Sequence, residues 1–525
     1  MVEPRAKAAI EASAVPTNDE HRVAVDQQLQ SQLRRLAISD ESSNVSSNVS
    51  AIDLATDNSS DDEEDLDQAD HAIYVAPDFG LIGKLAADRA RNVGGDNPLD
   101  GINRDIGHAP LLSEAIVTQH ARDLVPQFGF LGSEHTEGQD TKVFQNTNVP
   151  FSTFICGVQG SGKSHTTACM LENALIPSPH LGRLQAPVSA LVFSYSEFSN
   201  GGSGFAVSEA ASLARASEAI ANGRVKKVTV LTSPSNPAIT KFYRAIPGVE
   251  VLPFKLKAKT LDIGTLLTLM AVNEKAEVPL YMAKVESILR AIATESKDGL
   301  FDYNLFKERL ALENFDPKQT NMLEMRLGLL ESFLDKTNTV PDPKYRPGEV
   351  TIIDLSDPFV TPNTACILFK LGLERFMQSR VPGKMVVLDE AHKYMLNTPG
   401  SKVLNDYLAT LIRLQRHKGA RVVISTQEPT VSTDLIALCA VTVVHRFTSP
   451  AWYLALKRHI NAMDDDKDTM RQIEGLDTGE ALVYSPNAVL EKHFDGSLVK
   501  ATGRLMRLSI RKRITRDGGE SIMAI

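Results

Sequence analysis

Cysteine is scarce in this chain: there are four in 525 residues, Cys156, Cys169, Cys366 and Cys439. No two stand at CxxC spacing. That argues against a zinc cluster or a dithiol redox motif and leaves them as small core residues in a reducing compartment. Long apolar runs are missing as well. None reaches the ~18 residues of a membrane span. Residues 1–31 carry both charge signs and no apolar segment of the kind a secretory signal needs. An intracellular protein, cytoplasmic or nuclear, is the expectation. Without a secretory signal, the N-x-S patterns at Asn44, Asn48 and Asn58 read as chance matches in a serine-rich tract. An excess of positive charge is also absent. Lys and Arg number 56 against 65 Asp and Glu, a formal net charge of −9. This argues against nucleic-acid binding by the whole surface but leaves room for a local basic lining.

The chain is long enough for two to four domains at roughly 100–200 residues each. Residues 1–70 read as a disordered acidic tail. From Asp40 to Asp70 there is no Lys or Arg, and the stretch contains the tandem repeat SSNV-SSNV and the acidic block DDEED. Such composition cannot offset chain entropy by burial. It reads as a solubilising tail or as a regulated segment in which Ser59 and Ser60, set before acids, are candidate phosphorylation sites. Residues 71–145 suggest a small N-terminal subdomain or strap. From residue 146 to about 490, short apolar runs bounded by turn residues alternate with amphipathic stretches. Strands are expected at 151–156, 189–195, 227–232, 349–355, 385–390, 420–426 and 440–447. Helices are expected at 163–175, 281–297, 321–336, 363–379 and from 390 to about 417. This is an α/β fold with a mostly parallel sheet covered on both faces, interrupted by a large insertion at about 198–345. Residues 491–525 form a basic C-terminal strand or tail. Between Lys500 and Arg516 there are seven basic residues, which suggest either an edge strand protected by charge or an arm contacting phosphates or another subunit.

The chemistry begins at GVQGSGKS, residues 157–164, a complete GxxxxGK[ST] between an apolar strand and a helix. Glycines let successive backbone N–H groups turn toward phosphate oxygens, and the following helix adds its positive end. The expected nucleotide contacts are Gly157, Val158, Gln159, Gly160, Ser161, Gly162, Lys163, Ser164 and His165. Lys163 reaches the outer phosphates, and Ser164 offers a hydroxyl to Mg²⁺. Further on, VVLDE ends an apolar strand in two acids. Asp389 is the candidate Mg²⁺ acid and Glu390 the candidate base. His392 completes "DEAH" and reads more simply as structural. The strand ARVVIST ends in Gln427, a candidate γ-phosphate sensor. Arg413, Arg416, Arg421 and Arg446 cluster around this region as candidate arginine fingers or ordinary surface residues.

Taken together, GVQGSGKSHT, GEVTIIDLSD, VVLDEAHKY and RHKGARVVISTQEP resemble the HerA/FtsK superfamily of P-loop ATPases. VTVVHRF and GLDTGEALVYSP add to the resemblance, which points to the HerA branch. It spans roughly residues 146–490. It implies a RecA-like core, Mg-ATP hydrolysis, a hexameric ring and translocation of DNA. Carried over, it gives Lys163 and Ser164 the phosphate and Mg²⁺ roles, Asp389 the metal, Glu390 the base and Gln427 the sensor. Arg416, eleven residues before Gln427, becomes the trans-acting arginine, with Arg446 a second candidate. No HerA-type barrel stands out in residues 71–145, and residues 198–345 carry no recognisable motif. The acidic tail and the repeat give the chain a eukaryotic look. Such a member could have kept the motor and changed its cargo. A nucleotide-dependent switch that recruits protein partners through the tail or the insertion is the alternative, and a packaging ATPase is a third. A DEAH-box helicase is excluded by spacing. Over 200 residues separate the two nucleotide motifs, and about 130 follow the second, too few for another RecA-like domain with its accessory parts.

Overall fold

The computed structural model describes residues 98–518, apart from 137–138, 197–206, 258–279, 296–301, 337–338, 430–432 and 464–465. The chain divides into Met1–Asp78 and Phe79–Ile525. The acidic tail, its repeat, Ser59, Ser60 and residues 71–97 lie outside the described residues. Among the described residues, no helix is long and apolar enough to cross a membrane.

Short β-branched and apolar runs form the centre of the fold. The strands Ser152–Cys156, Lys384–Leu388 and Ala420–Thr426 are buried at every position, as expected where both faces of a parallel sheet are covered. Eight strands run parallel in the order Val249–Pro253, Lys227–Thr232, Glu349–Asp354, Ser189–Ser194, Lys384–Leu388, Ala420–Thr426, Ser152–Cys156, Val441–Val444. This is the RecA-like arrangement: the strand entering the glycine-rich turn is separated from the strand ending in the acids by one intervening strand. Beyond Val441–Val444 the same sheet continues antiparallel through Glu480–Tyr484, Leu505–Ile510, Phe128–Thr136 and Gln139–Gln145. Residues on either side of the motif-bearing segments therefore complete one sheet. Two strands from the expected insertion, Lys227–Thr232 and Val249–Pro253, also belong to it.

Alternation along the strands divides the core into two layers. Val386 and Leu388 face the layer containing Phe369, Leu404 and Leu408. Their neighbours Met385 and Val387 face the layer containing Met170, Leu171 and Ala174 of the helix Lys163–Leu175. On the first side Phe193 stacks on Phe369 with ring centroids 4.6 Å apart. The helices Pro362–Met377, Pro399–Arg413 and Pro317–Phe333 share one start signal: a Thr or Asp cap whose side chain accepts a backbone N–H, followed at once by proline. This moves the start expected at 321 back to Pro317, while the start expected at about 363 falls at Pro362. The helix expected from 390 to about 417 is broken into a short 3₁₀ turn, Ala391–Lys393, then Pro399–Arg413 and Gln415–Lys418.

The basic C-terminal segment departs from the first of its two expectations. Leu505–Ile510 is not an edge strand, because it pairs with Glu480–Tyr484 on one side and Phe128–Thr136 on the other. Two of its arginines, Arg511 and Arg513, are buried and so not free for an arm. Glu172, on the helix after the glycine-rich turn, is 0% exposed. It takes an ion pair at 2.7 Å from Arg511 and one at 3.8 Å from Arg513. It also accepts the backbone N–H groups of Ile514 and Thr515 at 3.2 and 2.9 Å. A buried carboxylate this well paired holds the C-terminal segment onto the helix. Removing one partner leaves uncompensated buried charge. Glu172→Ala should lower unfolding stability by about 3–5 kcal/mol, read as a shifted urea midpoint at unchanged slope. An unmoved midpoint would show that the cluster contributes nothing.

Candidate active site

The strand Ser152–Cys156 ends at a turn that only glycine can make. Gly157 has φ 152°, and a Cβ there would lie 2.6 Å from that of His445. Gly162, at φ 109°, caps the helix beginning at Lys163, and a Cβ there would press on the backbone of Gly479. The Ser161 hydroxyl and the Lys163 ammonium both donate to the Val158 carbonyl, at 2.7 and 3.0 Å. Val158 N–H in turn donates to the Arg446 carbonyl at 3.0 Å. The loop is thus tied to the end of the neighbouring strand, leaving Gln159 and Gly160 at the open surface.

His445 fixes the loop from beneath. Its Nδ1 lies 2.8 Å from the Glu480 carbonyl, so that nitrogen carries the proton. Its Nε2 then accepts from the Thr166 hydroxyl at 2.9 Å. The ring is neutral, and burial pushes its pKa down to about 4.

The acids lie across the intervening strand. Asp389 N–H donates to the Phe193 carbonyl at 3.2 Å, continuing the ladder one residue past Leu388. Glu390 then turns out of the sheet at φ 48°, the only positive φ outside glycine among the described residues. Backbone strain of this kind persists only where surrounding contacts hold it. Here the Gln427 amide donates to Glu390 Oε2 at 2.9 Å, and the Lys163 ammonium stands 4.0 Å from Oε1. Lys393 and His392 approach the same carboxylate at 3.6 and 3.5 Å. His392 Nδ1 also accepts the Gln427 backbone N–H at 3.3 Å, so this histidine ties the acid turn to the strand that leads to Gln427. Burial first, then the nearby Glu390 and Glu209, push the Asp389 carboxyl up to about 7. Burial lowers the pKa of Lys163, with Glu390 and Asp389 opposing it.

These groups open onto one cavity of about 780 Å³ lined by Gln159, Gly160, Gly162, Lys163, Ser164, His165, Asp389, Glu390 and Gln427. The size suits a nucleotide. Of the expected loop residues, Gln159, Gly160, Gly162, Lys163, Ser164 and His165 line it together with both acids and Gln427, whereas Gly157, Val158 and Ser161 are not among its lining residues. Ser164 and Asp389 supply hard oxygen donors to the same cavity, and their chemistry fits Mg²⁺.

The arginines separate. Arg416 is exposed on Gln415–Lys418, which precedes the strand Ala420–Thr426. It lies at the opposite end from Gln427, roughly 20 Å away for seven residues at about 3.3 Å each. It cannot touch its own site. Arg446 sits beside its own glycine-rich loop through its carbonyl, and its side chain is exposed. Arg421 is buried and donates to the Thr147 carbonyl, so it is a structural residue. Glu209 and Asp517 carried no sequence signal, and Lys512 was visible only as one of the basic residues of the C-terminal segment. His445 and Gly479 stood inside the quoted motifs, but only folding reveals what they touch.

A histidine held neutral costs stability once it must charge. Above the unfolded value of about 6.5 it costs nothing. As pH falls through 6.5 toward 4 the unfolded chain takes up the proton first and stability is lost, by up to about 3 kcal/mol. The stability difference between wild type and His445→Gln should therefore shrink as pH falls from 7 toward 4 in denaturation curves. A difference independent of pH would contradict the neutral assignment.

No family model matches the chain, and no curated protein matches it. Solved structures do show likeness. The structure of VirB4 of Thermoanaerobacter pseudethanolicus aligns at 10% identity and TM-score 0.47, covering 73% of this chain and 96% of that one. The plasmid coupling protein TrwB in complex with a non-hydrolysable GTP analogue aligns at 12% identity and TM-score 0.38, covering 71% and 90%. The genome packaging NTPase B204 from Sulfolobus turreted icosahedral virus 2, in complex with ATP-gammaS, aligns at 10% identity and TM-score 0.27, covering 70% and 99%. At these identities and scores the function of this chain must be read from its own site.

Proposed function

We propose that this chain is a Mg²⁺-dependent P-loop ATPase of the HerA/FtsK type that works as a ring-forming translocase on DNA. One observation carries the reading: Glu390, turned out of the sheet, is held by the Gln427 amide at 2.9 Å and faces the buried Lys163 ammonium at 4.0 Å. A carboxylate poised between a phosphate-binding lysine and a sensor amide fits a base for attacking water.

The roles follow from position. Backbone N–H groups of the loop and the first turn of the following helix cradle the phosphates, and Lys163 moves from the Val158 carbonyl to the outer phosphates. Ser164 and Asp389 would hold Mg²⁺, which when bound neutralises charge on the phosphate oxygens. Glu390 orients and deprotonates water, and Gln427 links its carboxylate to the state of the outer phosphate. Among the described residues no arginine lines the cavity, and its own Arg416 is about a strand length away. Arg416 of a neighbouring subunit fits that role, with Arg446 as the rival.

Glu390→Gln should lower ATP turnover by about 10²–10⁴-fold while nucleotide binding persists in a filter or fluorescence assay. Normal turnover would remove Glu390 as the base. Arg416→Ala should also be inactive, at a loss of about 10³–10⁵-fold. Mixing it with Glu390→Gln should restore part of the activity, because each variant supplies what the other lacks across an interface. No recovery on mixing, with Arg446→Ala equally inactive, would transfer the role to Arg446. Turnover measured with single-stranded DNA, duplex DNA, RNA and no nucleic acid tests the translocase reading. Slow turnover indifferent to all of them, from a chain that remains monomeric, would favour a nucleotide-dependent switch.

A further inference from the structure

The cavity extends beyond the acids, and its far wall comes from no recognised motif. Asp389, Glu390 and Gln427 line one side, and Ile510, Lys512 and Asp517 line the cavity as well. Strand order gives the polarity. The strand entering the glycine-rich turn has the sensor and acid strands on one side. On the other it has Val441–Val444, Glu480–Tyr484 and Leu505–Ile510 in turn. A triphosphate with its outer phosphate at Glu390 therefore directs its inner phosphate and nucleoside toward the C-terminal segment. His165, one residue past Ser164, already meets that segment, with Nε2 2.8 Å from the Arg511 carbonyl.

The backbone of this segment is held on several sides. Ile510 N–H donates to Gly479 at 2.9 Å, and Arg511 N–H to Leu131 at 3.0 Å. Ser217 N–H reaches the Ile514 carbonyl, and Arg516 N–H the Arg215 carbonyl, both at 2.9 Å. Arg511 and Arg513 point into the buried Glu172 cluster. Ile510, the last residue of its strand, and Lys512 line the cavity. Lys512 is exposed, and its ammonium has no hydrogen-bond or ion-pair partner among the described residues.

We infer that Ile510 and Lys512 form the nucleoside-binding wall of this site. Ile510 and the methylene stem of Lys512 cover the base face, and the Lys512 ammonium donates to acceptor atoms of the ribose or base. Glu172 acts at a distance, as a positioning residue that anchors the wall to the same helix that holds the phosphates. This rests on the nucleotide-site reading above and specifies which part of the ligand the C-terminal segment takes.

The test compares Mg-ATP with inorganic tripolyphosphate, which carries the phosphates without the nucleoside, by titration calorimetry on the full chain. Lys512→Ala and Ile510→Ala should each weaken Mg-ATP about tenfold, a loss of about 1.4 kcal/mol, while tripolyphosphate binds as to wild type. Retained tripolyphosphate binding also shows that the variant has folded. Equal weakening of both ligands would make Lys512 a phosphate contact and overturn the assignment. So would unchanged ATP affinity in both variants. Wild-type protein that binds neither ligand would instead overturn the nucleotide site itself.

Discussion

A cation buried beside two carboxylates is the constraint on which this architecture depends. Lys163 is 4% exposed, and its ammonium has the Val158 carbonyl at 3.0 Å and Glu390 at 4.0 Å. An unpaired charge at such a depth would be costly. The loop must therefore present a carbonyl, and the acid strand must end within reach. Both conditions require parallel strands whose carboxyl ends fall at one level. The registers give this: Leu388 pairs with Ile424, and Thr426 with Cys156.

Around that centre the contacts serve orientation more than bulk stability. His445 supports the loop from below in a single tautomer. His392 joins the acid turn to the strand carrying Gln427. Glu390 carries backbone strain at φ 48°, and Asp389 is pushed up to about 7 by burial and neighbouring acids. Groups held away from their own optimum in this way are common where ligands bind, because the fold elsewhere compensates. Here the compensation is visible in the two apolar layers on either side of the sheet.

The C-terminal segment changes how the chain is understood as a unit. It passes through the interior of the sheet and then closes against the helix Lys163–Leu175 through Glu172. Its basic residues, which looked like a surface feature, have different fates. Arg511 and Arg513 neutralise a buried acid, while Lys512 remains at the cavity. Charge density along a sequence does not distinguish these fates, because the partner, Glu172, is over 300 residues away.

What the sequence determined by itself was local. The glycine-rich turn, VVLDE and the strand ending in Gln427 were legible because each needs particular residues at fixed short spacing, and strands buried on both faces write themselves as unbroken apolar runs. The helix start expected at 321 was misread by four residues where proline at the first position hid the cap, at Pro317. Tertiary structure decided everything that joins distant segments. Lys227–Thr232 and Val249–Pro253 enter the central sheet from a region without motifs. His445 reaches Thr166, and Glu172 reaches Arg511. Arg416 is set at the wrong end of its strand for its own cavity. Such pairings are fixed by strand order and register, which depend on the packing of the whole sheet and leave no periodic signal in any one stretch of chain.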